Sequence, residues 1–284
     1  MEKYLFIINP KSGTRSKDVL VDQIHELFHD TEYQIKYTEY PQHASELCKQ
    51  GIKENITNII AIGGDGTVNE IASALIHTNV TLGIVPFGSG NGFARHLQIP
   101  MNPFHALTKI KSGTKSKVDI IQINGKFSCN TSGLGFDGYV AKIFGKDGKR
   151  GFVNYLRLGL LGFSKYPAFT ATINNIKYQN LLVCEVANSS QMGNNAYVSP
   201  HSSITDGVAE IVLFQKPSWG NVPFLLYSIF TKKLNRSKHC TILSLPNADI
   251  SFDRPLEFHI DGEYISLENK IKYEIIPLSL HILT

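Results

Sequence analysis

The residues best suited to chemistry lie in Gly63-Gly64-Asp65-Gly66-Thr67-Val68-Asn69-Glu70, directly after the apolar run Ile59-Ile60-Ala61-Ile62. An acid between glycines at the end of a buried strand can hold Mg²⁺, or steer a hydroxyl beside a bound phosphate. The glycines let backbone N–H groups approach a ligand where a Cβ would intervene. A helix expected from about Val68 aims its positive end at the same spot. A purely structural reading makes the stretch a strand-to-helix turn in which Thr67 and Glu70 form a capping box. That accounts for those two residues but not for three glycines around one acid, so a phosphate site is expected, with Asp65 as its acid.

Two further loops carry similar residues. Asn9-Pro10-Lys11-Ser12-Gly13 is, taken alone, a type I turn entering a helix. Ser89-Gly90-Asn91 lies between Gly88 and Gly92, but its G-x-G-x-G spacing misses the third glycine of a dinucleotide fingerprint. No G-x-x-x-x-G-K-[ST] occurs, which excludes a P-loop. Asp206-Gly207-Val208 and Asp261-Gly262-Glu263 read by themselves as turns, Asp-Gly being a favoured hairpin pair. The segment 219–239 is apolar first and basic afterwards, which fits either an amphipathic helix on an anionic membrane or a core-packed helix with a solvated basic end. The cluster Lys142, Lys146, Lys149 and Arg150 has the same two readings.

The loops need elements to hold them. Apolar strands are expected at 4–8, 33–38, 58–62 and 81–85. Between them lie helical patterns, one through Val19, Leu20, Ile24, Leu27 and Phe28, others at 44–54, 68–76 and 93–97. Alternation of this kind implies parallel βαβ units, which bind ligands outside the carboxyl ends of their strands. Three of the four strand ends carry candidate loops, so one pocket is expected. After Pro100 and Pro103 the pattern becomes short alternating strands with hairpin turns at Asn124-Gly125, Asn174-Asn175 and Asp261-Gly262. A Lys/Ser/Gly linker is expected at 111–117. Beyond it comes a mainly antiparallel sandwich domain from about 119 to 270, with helical segments near 137–144, 152–163 and 217–233.

Composition narrows the class. The 284 residues are 42% hydrophobic and 18% charged, an ordinary globular balance with room for two domains. A net charge of +4 suits an anionic ligand or membrane surface and is far from that of a nucleic-acid binder, so no nucleic-acid partner is expected. Cys48, Cys129, Cys184 and Cys240 are scattered and form no CxxC pair, which argues for reduced thiols and against zinc. The chain opens on a core strand without signal-peptide architecture, and no apolar run reaches the roughly 20 residues of a membrane span. A soluble cytoplasmic protein is expected, with any membrane contact peripheral.

Together the motifs resemble the diacylglycerol kinase catalytic-domain family, in its bacterial soluble lipid-kinase branch. The matches are Asn9-Pro10-x-Ser12-Gly13, Thr38 with His43-Ala44, Gly63–Glu70, Gly88–Arg95, Asp206-Gly207 and Asp261-Gly262-Glu263, in the family's order over nearly the whole chain. The resemblance implies an α/β N-terminal domain of phosphofructokinase-like type with a parallel sheet, residues 1–118 plus 271–284. An all-β sandwich of residues 119–270 would follow, as the lipid-substrate domain. It places ATP against Asn9, Pro10, Lys11, Ser12, Gly13, Thr38, Gly63, Gly64, Asp65, Gly66, Thr67, Val68, Asn69, Glu70, Ser89, Gly90 and Asn91. Glu263 would be the general base toward the lipid hydroxyl and Asp65 the acid linked to Mg²⁺ and ATP. A structural Mg²⁺ would sit at Asp206, with the carbonyl of Val208 and a group at Ser203. Many members have Asn-Asp where this chain has Asn91-Gly92. The acid that ties the structural metal to the active site through water is therefore missing, and Asp119 is the other candidate.

The resemblance also implies a membrane-lipid substrate, contact with an anionic membrane and a homodimer. The expected activity is ATP- and Mg²⁺-dependent phosphorylation of a lipid hydroxyl, with diacylglycerol the default acceptor. The Gly-Ser-Gly-Asn form is also similar to sphingosine and ceramide kinases. An NAD kinase shares the Gly-Gly-Asp-Gly loop but not the early Asn-Pro-x-Ser-Gly loop or the contiguous Asn69-Glu70. A non-catalytic nucleotide or lipid sensor is the remaining alternative.

Overall fold

A computed structural model describes residues 2–13, 17–147 and 151–284. Lys149 and Arg150 of the basic cluster lie outside them. The chain divides into two compact units, Met1–Asp119 with Leu278–Thr284, and Ile120–Pro277.

The first unit follows the βα alternation. Its elements are β1 (Lys3–Ile8), α1 (Asp18–Leu27), β2 (Glu32–Tyr37), α2 (His43–Lys53), β3 (Asn58–Gly63), α3 (Asp65–Leu75), β4 (Thr81–Pro86), α4 (Gly92–His96) and α5 (Pro103–Ser112). Strands β2, β1, β3 and β4 lie side by side in that order, all parallel. Ile59, Ile60, Ala61 and Ile62 are fully buried, as a strand covered on both faces requires. Burying one such isoleucine is worth about 1.5–3 kcal/mol, so the run anchors the sheet. The chain moves from β1 outward to β2 and returns on the other side as β3. The switch point of this sheet therefore lies between β1 and β3, where a ligand crevice forms in open α/β sheets.

Two expectations for this unit are corrected. Helix α3 begins at Asp65, three residues before Val68, so Asp65 and Gly66 belong to its first turn. The expected linker is the end of α5 followed by β5 (Lys115–Ile123). Asn102 caps α5 by accepting from the N–H groups of Phe104 and His105, Pro103 opens the helix, and Ala106, Leu107 and Ile110 are buried on one face.

The second unit continues with β6 (Lys126–Ser128), β7 (Thr131–Gly135), α6 (Phe136–Asp147), α7 (Phe152–Phe163), β8 (Phe169–Ile173), β9 (Ile176–Ala187), β10 (Gln191–Gly193), β11 (Ala196–Tyr197), β12 (Ala209–Gln215), α8 (Val222–Phe230), β13 (Cys240–Leu245), β14 (Asn247–Ile260) and β15 (Glu263–Leu283). Strands β13, β12, β9, β7, β14 and β15 pair antiparallel in that order. The long strands β9 and β14 change neighbours along their length. Near one end they flank β7, and near the other they flank β8. A single core gathers Leu134, Phe169, Val186, Ile211, Ile250, Phe258 and Tyr273 from these strands.

The helical segments expected near 137–144, 152–163 and 217–233 are α6, α7 and α8, so the domain is not the all-β sandwich that the family resemblance implied. Helix α6 packs on β14 and α7, while Phe163 and Val222, from α7 and α8, share one small apolar cluster. The boundary also differs from the expected 271. Ile271, Tyr273 and Glu274 pair with Ile250, Ala248 and Asn247, and only the end of β15 returns to pair with β4 through His281 and Ile282. The return is pinned by Asp119, whose buried carboxylate accepts the Leu278 N–H at 2.7 Å. Asp119 is thus an anchor of the first unit.

Candidate active site

In the first unit the ends of β1, β3 and β4 bring the three expected loops together. Asn9 donates its N–H to the Ile62 carbonyl and its side-chain amide to Thr67 Oγ1 at 3.0 Å, joining the first loop to α3. Its Oδ1 accepts from Lys11 N–H, and its carbonyl accepts from Ser12 Oγ at 2.8 Å. Lys17 Nζ donates to the carbonyls of Pro10 and Ser12 and lies 5.2 Å from the Phe87 ring centre. Burial pulls the pKa of this ammonium down. Pro10, Lys11 and Gly13 are exposed. Thr38, buried after β2, donates its N–H to the Ile8 carbonyl.

The other two loops interlock. Phe87 N–H donates to the Gly63 carbonyl at 2.7 Å. A Cβ on Gly88 would stand 2.5 Å from the Gly64 Cα, so two backbones cross at a distance only glycines permit. Asn91 adopts a left-handed conformation, and its side-chain amide closes on Gly88, accepting from its N–H and donating to its carbonyl, both at 2.9 Å. The Asn91 N–H donates to Asp65 Oδ2 at 2.8 Å. Arg95 Nε holds the Gly90 carbonyl at 3.1 Å, while Ser89 stays exposed at the tip. No side chain caps α3 at Gly64, so its first-turn N–H groups and dipole end stand at the meeting point of the loops. The arrangement can hold an anion through backbone N–H groups.

Not every residue of the Gly63–Glu70 stretch serves this purpose. Val68 is buried in the core, and Asn69 Oδ1 accepts from Ser73 Oγ at 3.5 Å. Glu70 receives the N–H groups of Gln42 at 3.0 Å and Ala44 at 3.2 Å, so its carboxylate caps α2. Its two oxygens are thus paired with the start of a neighbouring helix and not with Thr67 as a capping box.

Glu263 and the residues expected at a metal belong to the second unit. Glu263 opens β15 and is exposed. It pairs with Ile260 across a two-residue turn in which Asp261 and Gly262 both have positive φ, 48° and 84°, the type I′ hairpin. Asp261 is buried, and its carboxylate accepts from Ser128 Oγ at 2.6 Å and from the N–H groups of Cys129 and Asn130 at 3.0 Å. Its role is to fix the turn. Ser203, Asp206 and Val208 share one short loop, where Asp206 Oδ1 accepts the Val208 N–H at 3.2 Å and Ser203 Oγ is paired with Thr205 Oγ1. With Asp206 exposed, the three offer a carboxylate, a hydroxyl and a carbonyl. This all-oxygen set fits a hard cation that keeps most of its waters.

Sequence reading did not find a buried cluster of ionisable side chains in this unit. Asp137, at the start of α6, accepts from Tyr155 Oη at 2.6 Å and lies 2.6 Å from His259 Nε2, with Glu185 Oε2 at 3.5 Å from the same nitrogen. Burial raises the Asp137 pKa, but the neighbouring imidazole and the bonds from His259 and Tyr155 outweigh it and hold it low. Burial dominates at Glu185 and raises its pKa. Gly133 of β7 stands between His259 and Glu185 in the sheet. A Cβ there would overlap Glu185 Oε2 and lie 2.9 Å from His259 Nε2.

The first unit is a parallel α/β sheet whose glycine-rich loops meet outside the carboxyl ends of its strands, the place where such sheets bind ligands. A β-rich unit follows it in the chain. Residues 3–123 match the family model "Diacylglycerol kinase catalytic domain". A Pectobacterium atrosepticum protein named "Probable lipid kinase YegS-like" is 30% identical over 98% of this chain and 94% of its own length. "Diacylglycerol kinase" of Bacillus subtilis is 24% identical over 93% of this chain and 90% of its own length. A crystal structure described as a "putative diacylglycerol kinase" from Bacillus anthracis superposes with a TM-score of 0.83, at 22% identity, over 99% of this chain and 96% of that one. The chain belongs to the diacylglycerol kinase catalytic-domain family and is an enzyme of the lipid kinase class.

Proposed function

We propose that the protein transfers the γ-phosphoryl group of ATP to a lipid hydroxyl, with diacylglycerol as acceptor and phosphatidic acid as product. The observation that carries this reading is the convergence of the three loops on the uncapped start of α3. Backbone N–H groups of the first turn of α3 and of the Gly88–Gly90 loop bind the phosphates. Asp65 is the acid linked to Mg²⁺ and ATP, and Glu263 accepts the proton of the attacking hydroxyl. Mg²⁺ supplies charge neutralisation on the phosphates. A structural Mg²⁺ would be held by Asp206, the Val208 carbonyl and Ser203. The sphingoid-base reading rests on the form Gly88-Ser89-Gly90-Asn91.

The partner surface belongs to the same proposal. Helix α8 and the turn before it expose Trp219 (53%), Phe224 (71%) and Tyr227 (56%), with Lys216, Lys232 and Lys233 in the flanking sequence. Apolar side chains flanked by lysines suit peripheral contact with an anionic membrane.

The test is to incubate the purified protein with labelled ATP, Mg²⁺ and, separately, diacylglycerol, a sphingoid base, ceramide and phosphatidylglycerol. Labelled phosphatidic acid is the expected product. Asp65→Ala and Glu263→Ala should each cut turnover by about 10²–10⁴-fold in folded protein. Wild-type turnover in both variants overturns the assignment of roles. A sphingoid product instead moves the acceptor, and no lipid product with ATP still bound supports a sensor.

A further inference from the structure

Resting on the assignment of Glu263 as general base, we infer that His259 is a positioning residue that orients Glu263 by holding the Asp261–Gly262 turn from below with its Nδ1 lone pair. The buried group Asp137, Glu185 and His259 has the composition of a metal site, with one ligand atom from each lying within 4.8 Å of the others. The hydrogen bonds argue otherwise. The N–H of Gly262 donates to His259 Nδ1 at 3.2 Å, so Nδ1 carries no proton. The single ring proton is then on Nε2, where Asp137 Oδ2 accepts it at 2.6 Å. A metal-bound histidine shows the opposite arrangement, with a bare nitrogen toward the ion and a protonated one toward an acceptor.

The electrostatics set the two contacts against each other. Burial lowers the pKa of the ring, while the carboxylates of Asp137 and Glu185 raise it by more and favour a second proton. That proton has no place except Nδ1, where it would face the Gly262 N–H donor. The hydrogen-bonded turn is therefore the state with one ring proton. Asp137 fixes the ring by accepting that proton, Tyr155 Oη fixes Asp137 from α7, and the missing Cβ of Gly133 leaves the space in which the group meets. Asp261 holds the turn to Ser128, Cys129 and Asn130, and His259 holds its other residue, Gly262. Glu263 is the next residue in the chain, so the hold on Gly262 adds to the Ile260 pairing in setting the backbone from which the base projects.

Two substitutions separate the contacts. His259→Asn places Oδ1 where the ring has Nδ1 and keeps an acceptor for Gly262, whereas His259→Gln reaches toward the Nε2 position and loses it. With diacylglycerol and ATP, His259→Gln should lower kcat about tenfold while leaving the KM for ATP within about twofold, and should speed exchange of the Gly262 amide about tenfold. His259→Asn should keep both kcat and amide protection within about threefold of wild type. Equal losses in the two variants, or wild-type protection of Gly262 in His259→Gln, overturn the inference. A readout free of any folding problem is the ¹⁵N spectrum of histidine-labelled wild type, with His259 identified by its absence in His259→Asn. One protonated and one bare ring nitrogen at neutral pH are expected, and two protonated nitrogens overturn the inference. Exchange and ¹⁵N shifts need no substrate, so they test His259 even if the wild type phosphorylates none of the lipids, an outcome that instead refutes the proposed activity.

Discussion

At Gly133 the absence of a side chain has a chemical purpose. Strands β9, β7 and β14 place Glu185, Gly133 and His259 side by side, and their polar ends meet over the glycine. Glu185 is buried, with Oε2 3.5 Å from His259 Nε2, so its carboxylate has no solvent-filled space into which to give way. Gly133→Ala should therefore destabilise the protein by about 3 kcal/mol, the upper range for overpacking a core, as read from the urea midpoint. A shift below about 0.5 kcal/mol would show that the cluster yields easily and does not hold His259 in one place. The same cluster explains why single residues were hard to read. Asp137, Glu185 and His259 are far apart in the chain, each sits in an ordinary pattern, and only the pairing of β9, β7 and β14 with α6 packed on β14 brings them together. Asp65 was legible because three glycines around one acid have few other uses, whereas Glu263 reads by itself as part of a turn and was singled out only by the family resemblance.

Elements were legible where one local signal dominated. The isoleucine run of β3 and the glycine loops after β3 and β4 needed no knowledge of the fold. Helix α5 was missed because Pro100 and Pro103 read as breaks, although a proline at the first helical position after Asn102 marks a start. The start of α3 was placed late because Asp65-Gly66 has poor helix propensity, which the tertiary bonds of Asn9 and Asn91 override. Glu70 has a role at this scale that the sequence did not suggest. It lies in the phosphate stretch by sequence, yet its two oxygens serve the first N–H groups of α2, whose own N-cap, Gln42, gives no side-chain bond. Glu70→Ala should cost about 1 kcal/mol in urea unfolding, the usual price of a lost cap, while the Kd for ATP stays within about twofold. A large loss of ATP affinity at unchanged stability would return Glu70 to the nucleotide.

For the molecule as a whole, the question is how the protein reaches a lipid. No helix among the described residues is long and apolar enough to cross a membrane. Helix α8 is instead divided by its surroundings. Val222 is buried, and Leu225, Leu226 and Ile229 pack on core residues, while Phe224 and Tyr227 point away from them. Trp219, before the helix, stands edge-on to Phe163 at 5.0 Å and keeps the apolar surface continuous with the end of α7, where Leu160 and Leu161 are also exposed. Lys233 Nζ lies 5.4 Å from the Tyr227 ring centre, so a positive charge borders the aromatic surface. In the proposed docking, apolar insertion and attraction to anionic headgroups act together, and only the second weakens as salt shortens the Debye length. The protein should sediment with vesicles containing phosphatidylglycerol more than with pure phosphatidylcholine, and raising salt from about 0.05 to 0.5 M should reduce the difference. The double variant Phe224→Ser, Tyr227→Ser should lose most of the bound fraction at both salt concentrations without lowering the melting temperature, since neither side chain is in the core. Unchanged sedimentation of that variant would remove α8 as the docking surface and leave the lysines alone to account for any binding.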